Sequence, residues 1–421
     1  MLDIKFIREN YGLVELGAKK KKVSIDINQL ISADDKRLLL LGEVENLRAK
    51  QNAVSDRMSQ MTDPGAKAEL IKSMQLHKED LRIKEEELKA IMEVWRDLML
   101  RVPNVPDPSV PDGNSDAENV EVKVWGEKTN FDFTPKDHVE IMKALDLADF
   151  ERGAKVHGFR GYFLKGDAAI LSMAIWRYAM DFFSAKGFTP MLAPAIARKE
   201  HFYGTGHLPN DAEDLFETQD NDFLSGTAEV PVMGYYSNEV LSIDELPKKF
   251  LAFSPCYRRE AGSHGKDTKG LIRVHEFYKV EQVILSEASH EKSVEFHEWL
   301  NRNTEEFIES LGIPYHTVMN CGGDLGLGQV KKYDIELWVP GEGKYREISS
   351  ASYFHDFQTR RFNIRYKDGE GKMRFAHSLN CTAIPTPRIL VSLIENFQTV
   401  EGNIRIPEAL QKYFGKDIIG K

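Results

Sequence analysis

The sequence predicts an α+β protein: a long antiparallel helical hairpin, then a domain built on an antiparallel β-sheet flanked by helices. Three observations carry this. Two heptad-spaced runs lie on either side of Asp63-Pro64-Gly65. Beyond Gly113 the heptads give way to alternating runs set among helical ones. Neither a βαβ rhythm nor a GxGxxG fingerprint appears, which argues against a doubly wound parallel sheet.

The hairpin comes first, from about residue 27 to residue 101. Leu40, Val44, Leu47, Gln51, Val54, Met58 and Met61 step by alternating four and three. So do Leu70, Met74, His77, Leu81, Lys84, Leu88, Ile91, Trp95 and Leu98, with Gln51, His77 and Lys84 as polar interruptions. This spacing predicts two helices sharing one apolar seam. Asp63-Pro64-Gly65 is the turn between them. Each helix would have roughly 35 residues and extend about 50 Å. An arm this thin buries only its seam and holds no pocket, so it must reach something or brace something. Its charges nearly balance, with 13 Lys+Arg and 15 Asp+Glu between Asp26 and Arg101. Periodicity alone favours a structural or dimerising coiled coil, since coiled coils ordinarily bind other helices. Val102-Pro103 ends the second helix, and Pro103–Pro111 is a stiff linker.

The second region follows Gly113. Glu121–Trp125 reads as a short strand, and Asp167–Lys186 as a helix ended by Gly187. Lys331–Val339, Arg361–Tyr366 and Met373–Phe375 alternate as strands. The glycine-rich run Gly322–Gly328 reads as backbone turning between strands, with a phosphate loop as the alternative. On the strand after it, Asp334 and Glu336 share one face, as metal ligands or as structural carboxylates.

Composition bounds the function. The 421 residues are 42% hydrophobic and 29% charged, which allows two globular domains. With 56 Lys+Arg against 66 Asp+Glu the net charge is -10, so nucleic acid, if bound, is met by local basic groups and shape. Cys256, Cys321 and Cys381 are widely spaced, which fits a reducing compartment better than a disulfide framework. The N-terminus lacks an apolar signal core, and no apolar run approaches the ~18 residues of a membrane span. A cytoplasmic protein with no membrane partner is expected. The run Lys19–Lys22 reads as a solvated charge cluster, with an address signal or a phosphate contact as alternatives.

The segment Tyr257–Gln282 carries the most chemistry. Its ends alternate and its middle, Gly262-Ser263-His264-Gly265-Lys266-Asp267, is glycine-rich and charged, so it reads strand, loop, strand. Arg258, Arg259 and Arg273 flank the loop. Guanidinium forks on a rigid hairpin suit a polyphosphate, because each can grip phosphoryl oxygens bidentately. A basic surface hairpin is the alternative. His264, His275 and Glu276 do not follow a recognised ligand spacing, and no protein-bound zinc is expected.

This segment resembles motif 2 of class II aminoacyl-tRNA synthetases, in the form found in the seryl-tRNA synthetase family. The resemblance extends along the chain. The helical arm is similar to that family's tRNA-binding arm. Gly187–Pro194 resembles motif 1, and Thr227-Ala228-Glu229 the family's serine-site element. Lys344–Ser350 resembles its ATP-site strand, and Leu379–Arg388 with Glu395-Asn396-Phe397-Gln398 resembles motif 3. Motif 3 departs in being glycine-poor: Cys381, Ala383 and Pro387 stand where glycine is common, and Pro385 and Pro387 fix φ and remove donors.

The resemblance implies a tRNA-binding domain over 1–106 and a class II catalytic domain over 107–421. It implies an enzyme that activates L-serine with ATP and Mg2+ and transfers serine to the terminal adenosine of tRNA(Ser). Whether tRNA(Sec) is charged as well stays open. By the same resemblance Arg258 holds the α-phosphate and the serine carboxylate, with Arg259 and Val274 beside ATP. Glu260 accepts from the adenine amino group, and Phe277 stacks on adenine. Arg273 and Arg388 bind the outer phosphates, so Arg258, Arg273 and Arg388 are the catalytic candidates. Glu347 and Ser350 hold magnesium. Thr227, Ala228, Glu229, Glu281, Asn380 and Thr382 surround serine with Arg258. The motif 1 region forms a homodimer. Two other readings remain: a catalytically dead scaffold with an interaction arm, and a ligase charging a carrier protein. Retention of the three arginines opposes the first, and the long arm opposes the second.

Overall fold

The structure is a computed structural model that describes residues 1–60, 63–262, 265 and 267–420. The seam position Met61 and the metal candidate His264 lie outside the described residues. Internal contacts divide the chain into two units. One is Leu2–Lys19 with Val23–Pro103, and the other is Met1 with Lys20–Lys22 and Asn104–Lys421.

In the first unit, short helices Ile4–Glu9 and Tyr11–Lys20 precede helix α1 (Ile27–Gln60) and helix α2 (Pro64–Arg101). The Asp63 carboxylate caps α2 by accepting from the Gly65 N–H at 3.0 Å, and Pro64 occupies the first turn, where no donor is needed. The helices run antiparallel. The Arg37 guanidinium lies over Trp95 at 4.7 Å, Lys84 reaches Glu43 at 3.1 Å, and Arg48 reaches Glu85 at 2.6 Å. Every described seam position from Leu40 to Leu98 is buried or half-buried, and the residues between them are mostly exposed. Arg8 and Arg37 both clamp the buried Asp34, at 2.7 and 2.6 Å, and so fix the base of α1.

The second unit is built on an eight-stranded sheet. Its strands are β1 (Val120–Trp125), β2 (Thr189–Leu192), β3 (Lys248–Tyr257), β4 (Glu276–Ser286), β5 (Tyr315–Met319), β6 (Lys331–Val339), β7 (Lys344–His355) and β8 (His377–Thr386). The order is β1-β5-β6-β7-β8-β4-β3-β2. Neighbours are antiparallel except β2, which joins β3 in parallel. Helices α3 (Gly166–Ser184) and α4 (His290–Leu311) cover one face. Trp176 of α3 donates to Thr386, and Gln282 of β4 donates to Thr304 of α4 at 3.0 Å. Thr317 of β5 reaches Glu305 of α4 at 2.8 Å. Glu281 and Asp334, of opposite parity to Gln282 and to Ile335 across from Thr317, therefore point to the other face, which carries the site, and Thr382 joins them because a register shift sets it opposite Glu281.

Two expectations change. Arg361–Tyr366 is not one strand: helix α5 (Phe357–Phe362) ends at Asn363, and a short strand follows at Arg365–Lys367. Phe357 and Phe362 are both buried, and Asn363 adopts the left-handed conformation (φ 56) that stops the helix. The run Lys19–Lys22 is not wholly solvated. The Lys21 ammonium is buried and donates to the carbonyls of Gly326 and Leu327 (3.0 Å each) and of Gln329. Burial pushes its pKa well below the ordinary lysine value. The glycine-rich run thus turns the backbone and seats a lysine. A side chain on Gly322 would strike the Lys20 backbone, 2.5 Å from its carbonyl oxygen.

Candidate active site

The site begins with two β-bulges. Between β6 and β7 the register moves from Ile335 opposite Ser349 to Glu336 opposite Glu347, which leaves Ile348 as an extra residue. Glu347 and Ser350 are three apart, so regular alternation would put them on opposite faces. The bulge turns both to the face of Asp334 and Glu336. Between β4 and β8, Val280 faces Ile384 while Glu281 faces Thr382, and Ala383 is the extra residue. That bulge brings Thr382 and Pro385 onto one face, opposite Glu281 and Lys279. Strand β8 runs through Asn380, Thr382 and Pro385 without a break, so the glycine-poor motif 3 holds its strand.

One end of the cleft is cationic and aromatic. Its lining includes Arg258, Glu260, Val274, Phe277, Glu347 and Arg388. The Arg258 guanidinium sits 5.4 Å over the Phe277 ring and donates to the Gly226 carbonyl at 3.4 Å. Arg388 opens helix α6 (Arg388–Asn396) and donates to the carbonyls of Ile272 (2.9 Å) and Glu347 (2.7 Å). Burial lowers the Arg388 pKa, and so do Arg258 and Arg273 nearby, while the Glu347 and Glu260 carboxylates oppose the shift. Three guanidiniums thus converge where a polyanion would neutralise them. Arg273 donates to Glu260 at 2.6 Å and pairs with Asp267 at 3.4 Å. Asp267 also pairs with Arg346 at 2.5 Å. Arg259 lies apart from the cleft lining: its side chain is exposed, and its backbone N–H holds the Asp214 carbonyl.

The other end is a buried polar nest. Lys279 pairs with Glu281 at 2.6 Å, Thr382 donates to Glu281 at 3.2 Å, and Lys279 donates to Thr382 at 3.4 Å. Thr227, Ala228, Glu229 and Asn380 are all buried beside them. Thr227 accepts from the Glu229 backbone N–H at 3.2 Å. Burial pushes the Glu229 carboxyl up to about 7, with Glu281 adding to the rise and Gln358, Lys279 and Asn380 opposing it. His207 is held by Thr205 at 2.8 Å; burial, with Arg258 and Lys279 nearby, pushes it down to about 4, so its imidazole is neutral.

The structure gathers the candidates except Arg259, but not along a single strand. Strand β4 starts at Glu276, so Arg273 reaches the cleft from the preceding loop while Phe277 and Glu281 point in from the strand. Sequence reasoning missed Lys279 and Gln358. The alternation Phe277-Lys279-Glu281 could have exposed Lys279; nothing local marks Gln358. The carboxylates at 334 and 336 both have protein partners. Asp334 accepts from Asn320 at 2.6 Å and pairs with Lys332 at 3.1 Å, and Glu336 bonds His316 at 2.8 Å.

This constellation on an antiparallel sheet is that of a class II aminoacyl-tRNA synthetase. A family model for the class II tRNA synthetase core domain (G, H, P, S and T) matches residues 215–397, and one for the seryl-tRNA synthetase N-terminal domain matches residues 1–106. The serine–tRNA ligase of Deinococcus radiodurans is 45% identical over 423 residues, covering 100% of this chain and 99% of that relative. That of Thermodesulfovibrio yellowstonii is 43% identical, with 100% of both chains covered. Among solved structures, seryl-tRNA synthetase from Pyrococcus horikoshii, complexed with ATP, superposes with a TM-score of 0.89 at 37% identity over 100% of this chain and 99% of that one. The cytoplasmic serine–tRNA ligase of Naegleria fowleri, in complex with AMP, gives 0.86 at 31%, over 100% and 98%. The chain belongs to the seryl-tRNA synthetase family.

Proposed function

We propose that this chain activates L-serine with ATP and then transfers serine to tRNA(Ser). The supporting observation is a single cleft whose arginine- and phenylalanine-lined end runs into a buried carboxylate nest. In the first step a serine carboxylate oxygen attacks the α-phosphorus, and pyrophosphate leaves with the bonding pair. No protein nucleophile is needed, so positioning and charge neutralisation do the work. Arg258 holds the α-phosphate and the serine carboxylate, and Phe277 lies against adenine with Val274 beneath. Glu260 accepts from the adenine amino group once Arg273 turns to the outer phosphates with Arg388. Glu281 and Thr382 read the serine hydroxyl, while Glu229, Thr227, Ala228 and Asn380 close the amino-group side.

Glu347 lines the phosphate end and Ser350 is an oxygen donor on the same face of the sheet, which fits a hard cation that shares its ligands with phosphate and water. They would hold Mg2+, which offsets triphosphate charge when bound.

The same reading assigns 1–106 to tRNA binding through the arm and 107–421 to catalysis. It also makes the protein a cytoplasmic homodimer, with the motif 1 region at the two-fold axis. Strand β2 supports the dimer: it ends the sheet, Leu192 is 83% exposed, and Ile196, Ile170 and Met173 are exposed as well. All three cysteines are free and buried, in keeping with a reducing compartment. The decisive experiment is serine-dependent ATP–pyrophosphate exchange on the purified protein, followed by charging of tRNA(Ser). Exchange that is absent, or equal with alanine and serine, rejects the reading.

A further inference from the structure

Glu229 begins the short helix Glu229–Gly234, and its carboxylate is buried. Its Oε1 accepts a 2.6 Å hydrogen bond from Gln358 Nε2. Gln358 lies on α5, outside every motif, and is 1% exposed. The same Nε2 also donates to the Thr205 carbonyl at 3.3 Å. Its Oε1 accepts from Ser378 Oγ at 2.7 Å. The amide cannot turn over cheaply. A flip would set its oxygen against a carbonyl and a carboxylate, neither of which can donate when Glu229 is ionised. Thr205 and Ser378 therefore lock Gln358 with its donor end toward Glu229.

The neighbourhood says what that donor is for. The groups facing Glu229 are the amides of Gln358 and Asn380, the Glu281 carboxylate and the Lys279 ammonium. Lys279 is already paired with Glu281 at 2.6 Å. The hydrogen bonds to Glu229 thus come from neutral amides, which orient the carboxylate without cancelling its charge. A dry carboxylate kept this way is complementary to a small cation. On the functional reading above, the cation that enters this nest is the ammonium group of serine.

We propose that Gln358, locked by Ser378, is a positioning residue that holds the Glu229 carboxylate ionised and aimed at the ammonium group of serine. The inference rests on that reading. A hydrogen bond to the charged form favours it, whereas burial and Glu281 favour the neutral acid. Without the donor, Glu229 protonates more easily and loses its aim together.

Two variants test this, Gln358→Met, which keeps length and removes the polar atoms, and Ser378→Ala, which frees the amide to turn. Serine KM, ATP KM and kcat are measured by pyrophosphate exchange from pH 6 to 9, with thermal midpoints alongside. Gln358→Met should raise serine KM at pH 7 about 10- to 100-fold, the loss of a hydrogen bond to a charged group. ATP KM should stay within about twofold. The fall in serine KM with rising pH should move up by about one pH unit. Ser378→Ala should do the same more weakly, by about 3- to 10-fold in serine KM. If Gln358→Met does not fold, Ser378→Ala is judged by the same readouts. Serine and ATP KM rising together on an unshifted pH profile overturns the proposal, as does a serine KM unchanged in every folded variant. Absence of serine-dependent exchange in the unmodified chain would instead strike the functional reading itself.

Discussion

Along the hairpin 27–101, above the base where Arg8 clamps Asp34, the described ion pairs form within one turn or directly across a single seam. Arg82 pairs with Glu79 and Glu86, and Arg48 with Glu85. On the site face, partners come from distant parts of the chain: Glu229 with Gln358, Glu281 with Thr382, and Arg388 with Ile272. A structure made of local pairs can lengthen or shorten by whole heptads without altering anything beyond it. A structure made of distant pairs is changed by any one of them. The arm should therefore be separable from the chemistry, whereas the site should fail residue by residue.

The sharpest break would come from removing the arm. Replacing Leu38–Asp97 with a short Gly-Ser turn should abolish tRNA charging while pyrophosphate exchange stays within about threefold, since the phosphate- and serine-binding candidates all lie in the second unit. Equal loss of both activities in a folded protein would deny the division of labour.

Next in size is Arg388→Ala. It removes a half-buried guanidinium that holds two backbone carbonyls at the phosphate end. Exchange should fall about 10²- to 10³-fold, the usual cost of deleting one preorganised donor from a transition-state site. A tenfold effect or less would mean that Arg258 and Arg273 carry the phosphates without it.

Glu281→Ala should act at the opposite end of the cleft. Losing its bond to the serine hydroxyl should cost about 1.5–3 kcal/mol, roughly 10- to 150-fold in serine affinity, and should shrink the preference over alanine. ATP binding, measured separately, should change little. The variant also strands Lys279, its 2.6 Å partner, so Glu281→Gln is the better-packed companion. An unchanged serine-to-alanine ratio in both would show that another group reads the hydroxyl.

The smallest effect concerns stability. The folded Glu229 carboxyl is pushed up to about 7, above its ordinary value. Between that value and about 7 the folded state binds more protons than the unfolded one, so stability falls as pH rises through this window. Glu229→Gln should remove that loss, raising stability at pH 8 on the order of 2 kcal/mol and leaving it unchanged near pH 4. Denaturation at the two pH values checks the sign. A variant that gains stability at pH 8 while losing serine affinity would mark Glu229 as a charge kept for binding at the expense of folding.

The same contrast explains how much could be read from residues alone. The seam positions were legible because a heptad is a statement about neighbours in sequence, and full or partial burial follows it at the described positions between Leu40 and Leu98. The strand Lys331–Val339 was legible by its alternation. The motif residues Arg258, Phe277, Glu281 and Arg388 were found by their resemblance to a family, and the fold then brought them to one cleft. The segment 361–366 was misread because alternation cannot announce that Asn363 will turn left-handed after a helix whose aromatic residues are buried. A carboxylate and a hydroxyl three apart on a strand, as Glu347 and Ser350 are, or an arginine ahead of it, give no hint of which face they share.

The sequence by itself determined the arm, individual strands such as Lys331–Val339, and the chemical types assembled for a triphosphate and an amino acid. Helical and strand periodicities, turn residues and charge types are local properties that survive being written in one dimension. Only the tertiary structure decided that Ile348 and Ala383 are bulges, which bring Glu347 to the side of Ser350 and Thr382 to the side of Pro385. It alone buried Lys21 against three carbonyls and set Gln358 behind Glu229. Those outcomes depend on which strands become neighbours and what is excluded from water between them. The partners lie from eleven residues apart, as Glu336 and Glu347 do, to hundreds apart, as Lys21 and Gly326 are, and no periodicity in the sequence connects them.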